Sequence, residues 1–310
     1  MSGPSNPADP GPDVPVVHLS AIGHAHGEPR PVPELDVLLA APLAPGGGLE
    51  TYRVSDLETW ELAALAAGQT LRACPAPPDM LLYVSQNDAD TVDSLAHLME
   101  RLGLPSVDHL VVAGHDCGNF GPALRLARDL LRDPARERVL LVMADRAGRA
   151  RQRAMANGMS VFSDGAASCL VTAQEPAGSG PCFAVEGVAT RTRVRPEAGS
   201  AQADILATVE LARGSVADLV RLTGRAADEH DHVVFANYRT DSQQFLAQAM
   251  GFPDTKLLLG SVGRLAHCFS ADILVTLDEQ YTAGGLKPGS RLLAAATGPA
   301  SWSTLALRVL

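Results

Sequence analysis

The order of secondary-structure signals along the chain is the feature that most limits its fold. Short aliphatic runs such as "DMLLYVSQ" and "RVLLVMAD" alternate with amphipathic stretches such as "DTVDSLAHLMERLGL". Runs that are apolar at every position indicate strands buried on both faces, and helices between them indicate parallel neighbours. The same order of elements recurs after about residue 175. The sequence therefore predicts an α/β fold with a largely parallel sheet and an internal duplication.

Composition bounds the class of protein. The 310 residues carry a formal net charge of −10, and 46% of them are hydrophobic although only 4% are aromatic. This length supports a sizeable aliphatic core, and the acidic balance argues against a general nucleic-acid-binding protein. No apolar run reaches the roughly 18 residues of a membrane span, and no apolar signal-peptide core occurs. We expect a soluble cytoplasmic protein without nucleic-acid or membrane partners, and a disordered tail over residues 1–13.

Cysteine and histidine spacing gives little sign of a metal site. The five cysteines are an odd number and contain no CxxC pair, which argues against a disulfide framework and a structural zinc site. His24 and His26 have a spacing that suits a metal on a strand, but no carboxylate cluster is nearby. We therefore interpret "GHAHG" as a solvated loop and predict no metal site.

One short run concentrates positive charge in this acidic chain. It is "RAGRARQR", from Arg146 to Arg153. Such a cluster suits the phosphates of coenzyme A or the acidic face of a carrier protein. A solvated loop explains it equally well, and both interpretations stay open.

A cysteine lies at a predicted corner between a strand and a helix. The segment "HLVVAGHDCGNFGPALRLARDLL", from His109 to Leu131, reads as an apolar strand, a glycine-containing turn and an amphipathic helix, with Cys117 in the turn. The free N–H groups and partial positive charge of a helix N-terminus favour a thiolate, so this position suits a nucleophile. The alternative is a small core residue, which is what most free cysteines are. Position alone does not separate the two.

Five segments together resemble β-ketoacyl-ACP synthase III of the thiolase superfamily. In chain order they are "DCGNFGPALRLARDLL", "VFSDGAASCLV", "FANYRTDSQQFLAQAMGF", "HCFSADILVTLDE" and "TGPASWSTLALRVL". The resemblance runs from about residue 50 to residue 310. It implies a thiolase-like, five-layered αβαβα fold made of two duplicated halves, over residues 14–174 and 175–310, and usually assembled as a homodimer. The first half would carry the nucleophile, and the second half the other site residues.

The resemblance also implies roles for individual residues. Cys117 takes the place of the acyl-accepting nucleophile, and Gly298 matches the glycine whose N–H joins that of Cys117 in the oxyanion hole. The family's catalytic histidine falls on Ala236, beside Asn237, and its catalytic asparagine falls on His267. The family uses that His–Asn pair to stabilise an enolate during decarboxylative condensation. Its absence here argues against condensation, although Asn237 is a candidate auxiliary donor.

His267 has a candidate partner five positions further on. Asp272 falls in the first turn of a helix that we expect to be capped by Ser270. An aspartate bound to one imidazole nitrogen leaves the other free to take a proton, so the spacing favours a Cys117–His267–Asp272 triad. This triad resembles a divergent branch of the synthase III family in antibiotic biosynthesis, whose members use Ser or Cys, His and Asp. The alternative is a polar loop histidine and a helix-start charge.

These features predict an acyltransferase. An acyl group would pass from acyl-CoA or acyl carrier protein, through an acyl-enzyme on Cys117, to a hydroxyl, an amine or a carrier-protein thiol in secondary-metabolite biosynthesis. No cofactor is expected beyond the coenzyme A or phosphopantetheine thioester of the substrate. A starter-unit ketosynthase that forms a carbon–carbon bond is the alternative. An inactive ketosynthase partner subunit is a third hypothesis, against which the intact Cys117 argues.

Overall fold

The computed structural model describes residues 15–36, 47–74, 76–148, 153–155, 158–177, 180–193 and 201–310. The predicted tail, residues 1–13, lies outside them. The strands are β1 Val17–His26, β2 Glu28–Pro31, β3 Thr51–Val54, β4 Met80–Val84, β5 Asp108–Val112, β6 Arg138–Asp145, β7 Gly165–Thr172, β8 Cys182–Thr192, β9 His232–Phe235, β10 Arg291–Gly298 and β11 Ser301–Val309. The α-helices are α1 Val32–Asp36, α2 Thr59–Arg72, α3 Thr91–Leu102, α4 Phe120–Leu130, α5 Ala201–Thr223, α6 Thr240–Ala249, α7 Val262–Leu265 and α8 Asp272–Thr282.

The main sheet is mixed rather than largely parallel. Nine strands form it in the order β5-β4-β6-β7-β1-β8-β11-β10-β9. β4 runs parallel to β5 and β6, and β9 runs parallel to β10, whereas every other pair is antiparallel. The prediction of a largely parallel sheet was wrong because helices bury both faces of these strands. An apolar pattern then carries no information about strand direction.

Helices lie in three layers around the strands. α2 packs on β1, β6 and β7 and against α3, while α5 packs on β8 and β11 and against α6. Between them, α4 contacts β4, β6, β8 and β11, and α8 contacts β1, β7 and β9. The central helices are fully buried at Phe120, Leu124, Leu274 and Leu277. The result is the predicted αβαβα layering of a thiolase-like fold, with the two groups of strands joined where β1 pairs with β8.

The two histidines of "GHAHG" lie on a strand, so the prediction of a solvated loop was wrong. β1 continues through them because His24 pairs with Ala167 and His26 pairs with Gly165 on β7. The two rings approach to 3.2 Å between Nδ1 of His24 and Nε2 of His26. Burial, more than the neighbouring His24 charge, lowers the pKa of His26 to about 3. Among the described residues, no group of three His, Cys, Asp or Glu side chains is arranged to hold a metal.

The basic run is only partly described, since residues 149–152 lie outside the structure's ranges. Arg146 binds Glu58 through its guanidinium at 3.0 Å. Arg153 forms a buried ion pair with Asp164 at 2.9 Å. Both arginines are therefore engaged in ion pairs within the protein, of which only the Arg153–Asp164 pair is buried. Among the helices described, none combines the length and hydropathy that a bilayer crossing needs.

Candidate active site

The nucleophile corner follows β5 at the end of its apolar run. A short 3-10 turn, Asp116–Gly118, precedes α4. Asp116 has φ of 52° and Gly114 has φ of 93°, so both lie in the left-handed region. Such backbone costs free energy in a non-glycine residue and is concentrated at functional sites. Cys117 follows directly, and the residue is buried, with 7% of its surface exposed.

The end of β10 approaches this corner closely. A Cβ on Gly298 would lie 2.3 Å from the carbonyl oxygen of His115 and 3.2 Å from Cβ of Asp116, so only glycine fits there. The Ser301 hydroxyl donates to the same His115 oxygen at 3.0 Å. The structure thus places the backbone of Gly298 against the turn that carries Cys117. This is the neighbourhood that an oxyanion hole built from the two residues requires.

His267 and Asp272 are in direct contact. Nδ1 of His267 and Oδ2 of Asp272 are 2.5 Å apart, and the two side chains are 0% and 1% exposed. Asp272 is the first residue of α8. The expected Ser270 cap was wrong: a 3-10 turn, Phe269–Ala271, runs straight into the helix, and Ala271 is at its N-cap. The Ser270 hydroxyl instead donates to the carbonyl oxygen of Cys117 at 3.2 Å, which links the helix start to the nucleophile turn.

Backbone N–H groups fix the Asp272 carboxylate. Oδ1 accepts from the N–H of Cys268 and Oδ2 from the N–H of Asn237, both at 2.8 Å. The side-chain amide of Asn237 donates to Oδ1 at 3.4 Å. Asn237 is fully buried, so the structure places this expected auxiliary donor at the Asp272 end of the triad. There it orients the carboxylate, which in turn orients the imidazole.

Three aromatic rings surround His267. Its ring centroid lies 5.0 Å from that of Tyr238, 5.5 Å from that of Phe162 and 5.8 Å from that of Phe269. Its backbone makes two hydrogen bonds to segment 161–163, at 2.9 and 2.8 Å. No local pattern in the sequence predicts this enclosure, because its members come from three separate segments. The enclosure fixes the imidazole in one orientation.

The electrostatics of the triad favour a charged imidazole. Burial lowers the pKa of His267, but Cys117 and the Asp272 carboxylate outweigh it and raise the pKa to about 10. Nε2 is buried and has no hydrogen-bond partner among the described residues. Burial and the neighbouring Cys117 charge also raise the pKa of Tyr238, whose hydroxyl lies 2.8 Å from that of Thr297. His267 can therefore take a proton through Nε2 and hold it strongly.

One polar side chain near Cys117 was missed at the level of sequence. The Cys117 thiol donates to Oε1 of Gln86 at 3.4 Å. Gln86 is in the loop after β4, and Asp145, the last residue of β6, accepts its backbone N–H at 2.7 Å. Burial raises the pKa of Asp145 to about 7. The only sequence signal for Gln86 was an apolar run followed by polar residues. That signal did not indicate that the loop after β4 meets the turn that carries Cys117.

The start of α8, which carries the buried His267–Asp272 pair, is thus tied to the Cys117 turn through the Ser270 hydrogen bond. This fold and site define a thiolase-superfamily enzyme. A family model for 3-oxoacyl-[acyl-carrier-protein (ACP)] synthase III matches residues 113–185, and the model for the C-terminal part of the same synthase matches residues 221–309. The chain belongs to the β-ketoacyl-ACP synthase III-like family.

Individual relatives agree with this assignment. The chain is 27% identical to a β-ketoacyl-[acyl-carrier-protein] synthase III 3 of Streptomyces coelicolor over 280 residues, which cover 80% of this chain and 82% of the relative. Its structure is similar to that of ChlB3, named as an acyltransferase, with a TM-score of 0.81, 22% identity and coverage of 96% and 98% of the two chains. The Aquifex aeolicus 3-oxoacyl-[acyl-carrier-protein] synthase III gives a TM-score of 0.79 at 16% identity, with 94% and 99% covered. At these identities the structures show the fold.

Proposed function

We propose that the chain is an acyltransferase that works through an acyl-enzyme on Cys117. The contact between His267 and Asp272, 2.5 Å long and fully buried, carries the proposal. It occupies Nδ1 with a carboxylate and leaves Nε2 to exchange protons, which is the arrangement of a general base. The donor would be an acyl-CoA or an acyl carrier protein, and the thioester itself supplies the activated acyl group.

In the first half-reaction, the Cys117 thiolate attacks the thioester carbonyl carbon, and its proton is already held at Nε2 of His267, whose pKa is raised to about 10. The carbonyl oxygen becomes an oxyanion, and the N–H groups of Cys117 and Gly298 would stabilise it by about 3 kcal/mol each. The bond between that carbon and the donor sulfur then breaks. The donor leaves as a thiol with the proton from His267, and the acyl group remains on Cys117.

In the second half-reaction, an acceptor hydroxyl, amine or carrier-protein thiol gives its proton to His267 and attacks the acyl carbon. The bond to Sγ breaks, and Cys117 returns to a thiolate beside the protonated His267. Asp272 stabilises the imidazolium in both steps. A base for the incoming nucleophile is all that heteroatom transfer needs beyond acylation.

Two further observations support transfer to a heteroatom over condensation. The position that matches the family's first catalytic histidine is Ala236, which has no side-chain donor for an enolate. Asn237 is held at Asp272. The acyltransferase name of the similar ChlB3 structure agrees with this choice. Resemblance to the antibiotic-biosynthesis branch supports a role in secondary metabolism.

A starter-unit β-ketoacyl synthase is the second candidate. The Streptomyces coelicolor relative, named as a β-ketoacyl-[acyl-carrier-protein] synthase III, favours it. In that reaction the acyl-enzyme would condense with a malonyl thioester and release carbon dioxide, with His267 donating to the enolate. Labelled carbon dioxide released from malonyl-carrier protein, together with a β-keto product, would establish this candidate instead.

Intact-mass analysis tests the proposal. The protein is incubated with a panel of acyl-CoAs and acyl carrier proteins, and then with acceptors. We expect one acyl mass on the peptide that contains Cys117, lost in Cys117→Ala and retained in the control Cys74→Ala. Acceptors bearing a hydroxyl, an amine or a carrier thiol should remove that mass. Acylation that persists in Cys117→Ala would contradict the proposal.

We also propose that two copies of the chain associate through β5. This strand is at one end of the sheet order and, within the described part of the chain, has no neighbour on its outer side. Leu110 and Val111 on it are 42% and 40% exposed. An aliphatic edge strand is a template for pairing with a second copy. Light scattering should report a dimer that Leu110→Lys converts to a monomer, and a wild-type monomer at micromolar concentration would refute this.

A further inference from the structure

We propose that Gln86 selects the acyl group, and that the preferred substrate carries a hydroxyl on the second or third carbon of the acyl chain. This inference rests on the proposed acyl-enzyme at Cys117. It comes from the contact between the Cys117 thiol and Oε1 of Gln86 at 3.4 Å, which puts a carboxamide beside the atom that receives the acyl group.

The topology explains why these residues meet. β4 lies between β5 and β6 and runs parallel to both, so the carboxyl ends of the three strands are at one edge. Gln86 follows β4, Cys117 follows β5, and Asp145 ends β6. Loops at this edge of parallel strands are where ligands bind in α/β folds. The first carbons of an acyl group attached to Sγ of Cys117 would therefore lie next to the loop after β4.

Asp145 holds that loop in place. A single carboxylate oxygen, Oδ1, accepts three hydrogen bonds, from the Ser85 hydroxyl at 2.9 Å, the N–H of Gln86 at 2.7 Å and the N–H of Asn87 at 2.8 Å. Asp145 is 2% exposed. The backbone on both sides of the Gln86 peptide is thereby fixed, and its carboxamide is presented from a defined position.

Acylation of Cys117 changes which hydrogen-bond donors are available to the Gln86 carboxamide. In the free enzyme Oε1 lies 3.4 Å from Sγ of Cys117, and a sulfur that carries an acyl group has no proton to donate to it. The Gln86 side chain is exposed in the free protein, so water can satisfy it there. An acyl chain displaces that water, and a purely hydrocarbon chain would leave Oε1 without a donor, which is unfavourable. A hydroxyl on the second or third carbon replaces the lost donor, and Nε2 can donate to the same hydroxyl.

Matched thioesters test this. Wild-type protein is treated with butyryl-CoA, 2-hydroxybutyryl-CoA and 3-hydroxybutyryl-CoA, and the second-order rate constant of mass gain at Cys117 is measured for each. We expect at least one hydroxyacyl-CoA to react about tenfold faster than butyryl-CoA, because a site built for a hydroxyl disfavours the analogue that lacks it. In Gln86→Leu this ratio should fall to about one. In the neighbouring control Asn87→Ala it should stay as in the wild type.

The outcomes separate this inference from the proposed function. Equal rates for all three thioesters in the wild type, or a hydroxyacyl preference that survives in Gln86→Leu, would overturn the role of Gln86 while leaving the acyl-enzyme intact. Failure of every thioester to acylate Cys117 would overturn the acyl-enzyme and this inference with it. The ratio is measured within one variant, so a change in the amount of folded protein does not affect it.

Discussion

Asp145 and Asp272 are two buried carboxylates that have similar backbone hydrogen bonds but different charged neighbours. Each is at the end of a regular element, is at most 2% exposed and accepts two backbone N–H bonds. Asp272 also binds the imidazole of His267, whereas Asp145 binds the neutral Ser85 hydroxyl in addition. The charge that acts on Asp145 is that of another carboxylate, Asp88.

The difference lies in the charged neighbour, which separates a carboxylate that anchors a loop from one paired with a histidine in the candidate active site. The charged neighbour of Asp145 is a carboxylate rather than a cation, and burial raises the pKa of Asp145 to about 7. A large fraction of Asp145 is therefore protonated and neutral at neutral pH. At the other site the imidazole supplies the opposite charge, and the pKa of His267 rises to about 10. Burial strengthens the attraction within the pair because little solvent screens it.

The largest expected effect is a difference in acyl-transfer activity between variants of the two carboxylates. Asp272→Asn should reduce kcat/KM for acyl transfer by about a thousandfold, because the imidazolium loses its charged partner and its fixed orientation. Asp145→Asn keeps an oxygen for the three donors of its loop and should cost less than about tenfold. Steady-state kinetics with one acyl-CoA and one acceptor measure both. Equal losses in the two variants would show that Asp272 acts only as an anchor.

The second effect is on the titration of His267. In Asp272→Asn its pKa should fall from about 10 toward or below the ordinary 6.5, since burial still lowers it and one of the two groups that raise it is gone. Nuclear magnetic resonance of labelled imidazole measures this directly. Asp145→Asn serves as the matched control and should leave the titration where it is. A His267 pKa that does not move in Asp272→Asn would contradict the assigned partner.

The third effect is on the pH dependence of stability, in two separate windows. The raised pKa of Asp145 means that the folded state binds a proton more tightly than the unfolded state, so its contribution to the free energy of unfolding falls as pH rises from about 4 to about 7. The contribution of His267 is complete below 6.5 and is lost as pH rises through about 10. A tenfold difference in proton affinity between the folded and unfolded states corresponds to roughly 1.4 kcal/mol of stability.

Urea denaturation of variants across pH checks these windows. Asp145→Asn should flatten the slope in the acidic window and leave the alkaline one. Asp272→Asn should flatten the alkaline window, because the folded-state pKa of His267 no longer lies near 10. Parallel curves for wild type and both variants would mean that neither carboxylate controls a proton on folding.

The smallest expected effect concerns Asn237. Asn237→Ala removes an amide hydrogen bond of 3.4 Å to Asp272 but keeps the backbone N–H bond of 2.8 Å to the same carboxylate. The loss in kcat/KM should therefore be about threefold, since a long bond contributes little when a shorter one remains. A hundredfold loss would instead indicate that Asn237 acts on the substrate.

Sequence reasoning succeeded where the signal was local. The strand–turn–helix at Cys117 and the contact between His267 and Asp272 depend on residues within a few positions of each other, so spacing was enough. It failed where strands far apart in the chain decide the outcome. Gln86 reaches Cys117 only because β4 and β5 are neighbours, and strand directions in the sheet followed from pairings that apolar patterns do not encode.

Ser270 shows a second kind of failure. Serine just before an apolar helix commonly caps it, but here its hydroxyl bonds to Cys117 in the other half of the chain. A local preference was overridden by a tertiary contact. The aromatic rings around His267 were missed for a related reason, since none of them gave a functional signal within its own segment.

The position of β11 has a consequence for how the chain is made. This strand follows every other strand of the sheet in sequence, yet it lies inside the sheet, between β8 and β10. Until it emerges from the ribosome, β9 and β10 have no hydrogen-bonded strand that joins them to the rest of the described sheet. During translation, Cys117 is therefore made early, and the strand that completes the sheet around it is made last. A nascent chain carries the reactive thiol through most of translation without the machinery to use it.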